Sequence, residues 1–148
     1  LNKLKNNGYE FMDFLRIKEE EMSTYRPLAG SFAVVKCGEK VLMCYNVWRK
    51  QWELPAGRRE GDETPKECAA RELYEETGQV AEDLEFIGLL KSKNIITGGI
   101  KYNPVYFKAV EELQPFIKNE ETSEIRLWDS KEEIGELDMV DVKVLEFV

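Results

Sequence analysis

The sequence predicts an α/β fold in a single domain. Three observations carry this expectation. Apolar runs rich in β-forming residues recur along the chain, one helix is bracketed at both ends by independent signals, and no linker or internal repeat divides the 148 residues. That length suits one domain with its own core. Residues 1–148 are read as that domain, with residues 1–27 as an N-terminal extension.

Within the charged N-terminal region, residues 9–17 have enough apolar character for a strand or a short helix, and the pattern does not choose between them. Arg26-Pro27 marks a boundary, because proline restricts the residue before it. Residues 29–36 (AGSFAVVK) read as a strand and residues 40–47 (KVLMCYNV) as its partner, with Cys37-Gly38-Glu39 as a short hairpin turn. Leu54-Pro55-Ala56-Gly57 interrupts the pattern, and residues 58–63 continue as a loop containing Gly61. The helix over Pro65–Thr77 follows. The Thr64 hydroxyl is placed to cap it, Pro65 suits the first helical position, and Glu67 completes a Thr-x-x-Glu capping box. Gly78, which tolerates positive φ, stops it.

Beyond the helix, residues 84–90 and 102–110 read as strands, and residues 91–101, with Gly98-Gly99, as a loop or hairpin end. Pro115 and the acidic run 119–124 belong to a surface loop, and residues 125–128 to a short strand. Ser130, with Glu133 three residues on, reads as the cap of a helical turn, and residues 140–148 as a terminal helix or strand.

Composition narrows the chemistry. With 21 basic and 29 acidic residues the formal net charge is -8, which disfavours general binding to nucleic acid backbones. An acidic protein that takes an anionic substrate needs a local positive charge, and metal ions supply one. There is no histidine, and Cys37, Cys44 and Cys68 form no CxxC pair, so zinc and iron-sulfur sites are disfavoured. Carboxylate oxygens favour magnesium, manganese or calcium. The few, odd-numbered cysteines fit a reducing cytosol. No run approaches a membrane span and the start lacks a secretory pattern, so a cytoplasmic protein without a membrane partner is expected. Oligomeric state is not legible.

On the predicted helix, Glu72, Glu75 and Glu76 are spaced i, i+3 and i+4 and project from one face. Like charges at these spacings destabilise an isolated helix by a few tenths of a kcal/mol, and a divalent cation would reverse the sign. A solvated acidic face has the same spacing, since Glu is a good helix former. Ala69 and Leu73 lie on an adjacent face suited to packing on a sheet.

The wider segment separates these readings. Gly57, Glu63, Arg71, Glu72, Leu73, Glu75, Glu76 and Gly78 stand in the order G-x5-E-x7-R-E-L-x-E-E-x-G. This closely resembles the Nudix box of the Nudix hydrolases, about a sixth of the chain. The family pattern ends in an aliphatic residue where this chain has Gln79, followed by Val80, a departure that touches packing and no ligand position. Trp52-Glu53-Leu54-Pro55-Ala56-Gly57 resembles the usual approach to the box, and Leu127-Trp128 the late strand of these enzymes.

The resemblance implies an α/β/α sandwich with a mixed sheet and hydrolysis of a phosphoanhydride bond with Mg²⁺ or Mn²⁺ as cofactor. By position it implies Glu72, Glu75 and Glu76 as metal ligands and catalytic residues, the Gly57 carbonyl as a further ligand, and Glu63 with Arg71 as a supporting ion pair. Family members often carry another acidic residue on a later loop. Glu120, Glu121 and Glu124 differ little as candidates, and Glu120 is favoured.

The box leaves the substrate open. A nucleoside triphosphate, including an oxidised purine nucleotide, is the first expectation. ADP-ribose or another nucleoside diphosphate sugar is the alternative, and a nucleotide-binding or RNA-interacting domain without turnover is a third. Trp48, Trp52, Tyr102 and Tyr106 are candidates for stacking on a base, although each also suits a core, and Arg49 and Arg58 are candidates for phosphate contacts.

Overall fold

The computed structural model describes residues 5–148. Its centre is a mixed sheet built from β1 (Lys5–Asn6), β2 (Tyr9–Leu15), β3 (Ser31–Cys37), β4 (Lys40–Asn46), β5 (Gln51–Glu53), β6 (Ala56–Gly57), β7 (Glu85–Asn94), β8 (Ile100–Val110) and β9 (Thr122–Trp128). The strand order is β1-β2-β7-β8-β3-β4-β5, with β6 added to β3 and β9 to β4. β3 and β8 run parallel and the other pairs antiparallel.

Side chains alternate across a strand, so one sequence run serves two layers. Ala33 and Val35 of β3 face helix α1 (Pro65–Thr77) and pack with Ala69, Leu73 and Tyr106. Phe32 and Val34 face the other side and pack with Leu54, Leu90, Val140 and Val144, the last two from helix α2 (Met139–Val144). The result is the α/β/α sandwich that the sequence predicts. α1 has the expected bounds, with both capping-box bonds formed around Thr64 and Gly78 in the left-handed region at φ 82°. Its docking residue Leu73 is fully buried. Leu73→Ala is therefore expected to cost about 2–5 kcal/mol, read as a fall in the denaturant midpoint.

Several expectations are refined or corrected. Residues 9–17 resolve into strand β2, which pairs with β7, so part of the N-terminal extension is built into the sheet. Residues 91–94 and 100–101 extend β7 and β8, so the hairpin end shrinks to residues 95–99, where the Asn94 side chain accepts the amides of Ile96 and Thr97. The interruption at 54–57 contains the short strand β6, held on β3 through the pairs Ser31↔Gly57 and Phe32↔Ala56. No helix starts at Ser130. The Asp129 carboxylate takes the amides of Lys131 and Glu132 instead, a local turn in which a carboxylate competes successfully for the backbone donors. The terminal helix starts at Met139, where Asp138 accepts the amides of Val140 and Asp141. Among the described residues, no helix is long and apolar enough to cross a membrane.

Candidate active site

Arg71 organises the start of the site. Its Nε donates to Glu63 Oε2 at 2.6 Å and its Nη2 to Glu63 Oε1 at 2.9 Å, a two-pronged pair across the loop between β6 and α1. Nη2 also donates to the Arg58 carbonyl at 2.7 Å, which fastens the loop to the helix. Nη1 reaches Glu72 Oε2 at 3.0 Å and Glu75 Oε1 at 3.1 Å. Arg71 holds the Glu63 carboxyl down at about 2, and Glu63 in turn stabilises the charged guanidinium.

Glu72 and Glu76 are drawn inward from the same helix face. The Glu72 carboxylate lies directly against Gly57, where any β-carbon would collide with it. Glu76 is buried beside β6, with Oε1 3.4 Å from the Ala56 amide and 3.6 Å from Cys44 Sγ. Burial, together with the nearby charges of Glu121 and Glu72, raises the Glu76 carboxyl to about 9. Burial also raises Glu72, against the pull of Arg71. Glu75 turns outward to Arg71 and its side chain is 53% exposed.

The loop carboxylate in this cluster is Glu121. Burial and the charges of Glu72 and Glu53 raise it, while Arg49 and the Asn46 amide, 3.0 Å from Oε2, oppose the rise. Glu120 is exposed, which corrects the sequence-based preference. The signal lies in the next residue of the same run: Asn119 donates to the Glu76 carbonyl and accepts the Glu121 and Thr122 amides, which turns Glu121 inward. Glu121→Gln is expected to lower turnover at least tenfold and Glu120→Gln to leave it near wild type, compared in one steady-state assay.

A cavity of about 610 Å³ opens beside Gly57 on the α2 side of the sheet. Arg49, Arg58 and Arg59 line it. Arg49 is already committed in part to Glu53, through bonds of 2.6 and 2.9 Å. The aromatic expectations need correction. Trp52 is buried in the core, its indole donating to the Ile134 carbonyl. Tyr106 is fully buried on the α1 side and donates to Glu19. Tyr102 alternates away from the cavity-lining Lys101 and Asn103 and packs edge-on against Tyr25. Trp48 is 66% exposed on the turn after β4 and does not line the cavity. The cavity wall instead contains Asn7, Tyr9, Ser92, Lys101, Asn103, Asp138 and Asp141, residues that carry no motif in the sequence.

The NUDIX domain model matches residues 25–147. The chain belongs to the NUDIX family. Within this family it is similar to an mRNA-decapping protein of African swine fever virus, 38% identical over 91 residues, which are 58% of this chain and 37% of that protein. An RNA pyrophosphohydrolase of Xylella fastidiosa is 39% identical over 64 residues, 43% of this chain and 33% of that one. The chain thus spans about a third of the length of these curated relatives. Among solved structures, a Bacillus subtilis pyrophosphohydrolase superposes with a TM-score of 0.69 at 20% identity, covering 90% of this chain and 85% of that one. A MutT NUDIX hydrolase from Burkholderia pseudomallei gives 0.69 at 19% identity, covering 84% and 99%. These two superpositions establish the shared NUDIX fold.

The relatives overturn one expectation. Net charge argued against nucleic acid as a partner, yet the chain shares its matched segments with proteins named for action on RNA. The physical reason is that net charge governs general attraction to a phosphate backbone, whereas recognition of a chain end depends on a few local groups.

The divalent cation that the NUDIX family implies can be tested against the donor set. Glu72, Glu76 and Glu121 crowd together, and burial, with their mutual repulsion, raises the proton affinity of each. The Gly57 carbonyl is a hard oxygen that accepts from Cys68 Sγ at 3.2 Å, and the α-carbon of Gly57 lies against the Glu72 carboxylate. Among the described residues, no three acidic side chains stand at ligating distances around one point. The donor chemistry fits magnesium or manganese, and closing the side chains around an ion would relieve their repulsion. Glu75 Oε1 accepts from Arg71 Nη1 at 3.1 Å, much as Glu72 Oε2 does at 3.0 Å, and is the more exposed of the two.

Proposed function

We propose that this protein is a divalent-cation-dependent hydrolase that cuts a phosphoanhydride bond in a 5′-triphosphate group, on a free nucleotide or at the end of an RNA. One observation carries the reading. The cavity begins at Gly57, where Glu72 is gathered, continues past Arg58 and Arg59, and ends among buried polar groups. A cavity lined by arginines and buried polar groups, of a volume usual for small-molecule sites, supports a polyphosphate ligand.

Glu72, Glu76 and Glu121, with the Gly57 carbonyl, would hold the ion. When bound, magnesium or manganese neutralises phosphate charge and lowers the pKa of a water. Arg58 and Arg59 orient the polyphosphate from the cavity side. One of the gathered carboxylates takes the proton of the attacking water. Arg71 acts through the others, fixing the loop and keeping Glu72 in place. The RNA end stands beside the free nucleotide because the curated relatives are named for RNA pyrophosphohydrolysis and decapping.

The test offers GTP, a 5′-triphosphorylated RNA oligonucleotide and ADP-ribose with Mg²⁺, Mn²⁺ or excess chelator, and identifies the products by chromatography. Metal-dependent release of phosphate or pyrophosphate from GTP or the RNA is expected, and the two arms separate the sources. Equal turnover in chelator would overturn the mechanism. Faster cleavage of ADP-ribose than of either triphosphate would overturn the substrate class.

A further inference from the structure

Two side chains near the end of β4 touch the carboxylate cluster. Cys44 Sγ lies 3.6 Å from Glu76 Oε1, a contact from a weak donor. Two residues on, Asn46 Nδ2 donates to Glu121 Oε2 at 3.0 Å. The same nitrogen donates to Glu53 Oε1 at 3.2 Å. Asn46 Oδ1 accepts the amides of Trp48 at 2.9 Å and Arg49 at 3.0 Å. Asn46 is 2% exposed, and its two donors and two acceptors are all used inside the protein. The strands set its place. Asn46 pairs with Gln51 of β5 and with Thr122 of β9, and the ladder to β9 shifts register between Cys44 and Asn46. That shift brings the start of β9, and Glu121 with it, beside Asn46. The Val47 amide also closes on the Glu121 carbonyl at 2.9 Å, so backbone and side chain are tied at one point.

We propose that Asn46 is a positioning residue for the cation site, its side-chain amide holding Glu121 toward Glu72 and Glu76 and off Arg49. The proposal rests on Glu121 being one of the ion's ligands, as in the reading above. A turn-forming role explains only half of the Asn46 contacts. Asn and Asp both accept amides two and three residues on, so either would hold the turn. The amide nitrogen does something an aspartate cannot, because it stands between two carboxyl groups and donates to both. Arg49 is the competitor. Its guanidinium is forked onto Glu53, with Nη2 3.9 Å from Glu121 Oε2. A neutral amide fixes a carboxylate without cancelling the charge that a cation needs, whereas a guanidinium does both. Among the described residues, both side-chain contacts of the Glu121 carboxyl fall on Oε2, which leaves Oε1 for the ion. With the Asn46 amide removed, Glu121 is expected to settle on Arg49.

Manganese binding separates positioning from folding. Mn²⁺ is titrated into the substrate-free full chain, and the free ion is read by electron paramagnetic resonance. Asn46→Ala is expected to raise the dissociation constant roughly tenfold, the scale of one hydrogen bond to a charged group. In a Glu121→Ala background the same substitution should change it less than about twofold, because the carboxylate it serves is gone. Gln51 supplies the other buried amide on Glu53, donating to Oε2 at 2.6 Å, and it makes no bond to Glu121. Gln51→Ala should lower the melting temperature and leave Mn²⁺ affinity near wild type. Asn46→Asp keeps the turn acceptor. It should still melt about 5 °C or more below wild type at pH 8 without metal, since it sets a third carboxyl against Glu53 and Glu121. Equal losses of affinity from Asn46→Ala in both backgrounds would overturn the proposal and leave the cation reading standing. An Asn46→Asp protein as stable as the wild type would do the same. Absence of Mn²⁺ binding by the unmodified protein would overturn the cation reading, and the proposal with it.

Discussion

Glu76→Gln is expected to lower turnover roughly a hundred- to a thousandfold, the scale seen when one preorganised electrostatic partner is removed from a reacting centre. The same substitution should stabilise the metal-free protein. Folded Glu76 binds its proton up to about pH 9, far above its ordinary value of 4.5. Its contribution to stability is therefore fully present below 4.5 and is lost as the pH rises toward 9. Between those limits the folded state resists ionisation and the unfolded state does not. Glutamine carries no such penalty. Thermal melts of the chelator-treated protein should show the wild type weakening from pH 5 to 9 and the variant nearly flat. By pH 8 the variant should melt about 3–6 °C higher, the shift that 1–2 kcal/mol gives in a domain of this size. Added Mg²⁺ should raise the wild-type curve and leave the variant close to its own. Wild-type turnover and magnesium dependence in the variant would overturn the assignment of Glu76.

Arg71→Ala should lower stability strongly. The side chain is 20% exposed and is shared by Glu63, Glu72 and Glu75. Its removal leaves half-buried carboxylates facing one another and frees the Arg58 carbonyl. A loss of about 3 kcal/mol is expected, seen as a fall of on the order of 10 °C in the melting temperature. Arg71→Lys should recover only part of it, because an ammonium cannot form the two-pronged contact with Glu63. The acid limb gives a further check. Glu63 titrates near 2 in the folded protein, below its ordinary 4.5. Its contribution is present above 4.5 and disappears as the pH falls toward 2, so the alanine variant should lose stability less steeply in that window. An unchanged melting temperature in Arg71→Ala would count against the anchoring role.

The signals that were legible in the sequence are local and periodic. The capping box at Thr64, the stop at Gly78 and the spacing of Glu63, Arg71, Glu72 and Glu76 lie within one short segment, where helix geometry converts spacing into position. The apolar run in residues 29–36 likewise marked a strand, and β3 is buried on both faces through most of its length. What sequence reading missed depends on long-range packing. Trp52 and Tyr106 have the composition of base-stacking residues, but strand register turns one into the α2-side core and the other toward α1. Glu120 and Glu121 are equivalent as text, and the Asn119 bonds that orient the loop decide between them. Asn7 and Asp138 meet only because β1 and β2 join the far edge of the sheet.

Among the described strands, the one parallel pairing, β3 beside β8, has a kinetic consequence. The other described strand–strand ladders are antiparallel, and several close through short turns. The β3–β8 ladder joins residues 32–37 to residues 105–110 and encloses the whole intervening chain, α1 included. Loop closure of that length is slow, because its entropy is lost before the contacts form. The β7–β8 hairpin can form early and wait for β3. Glu76 sits on α1 and Glu121 on the segment after β8, so their encounter waits on the same closure. In refolding from denaturant, recovery of catalysis should track the slowest non-proline phase, well after most helical signal has returned.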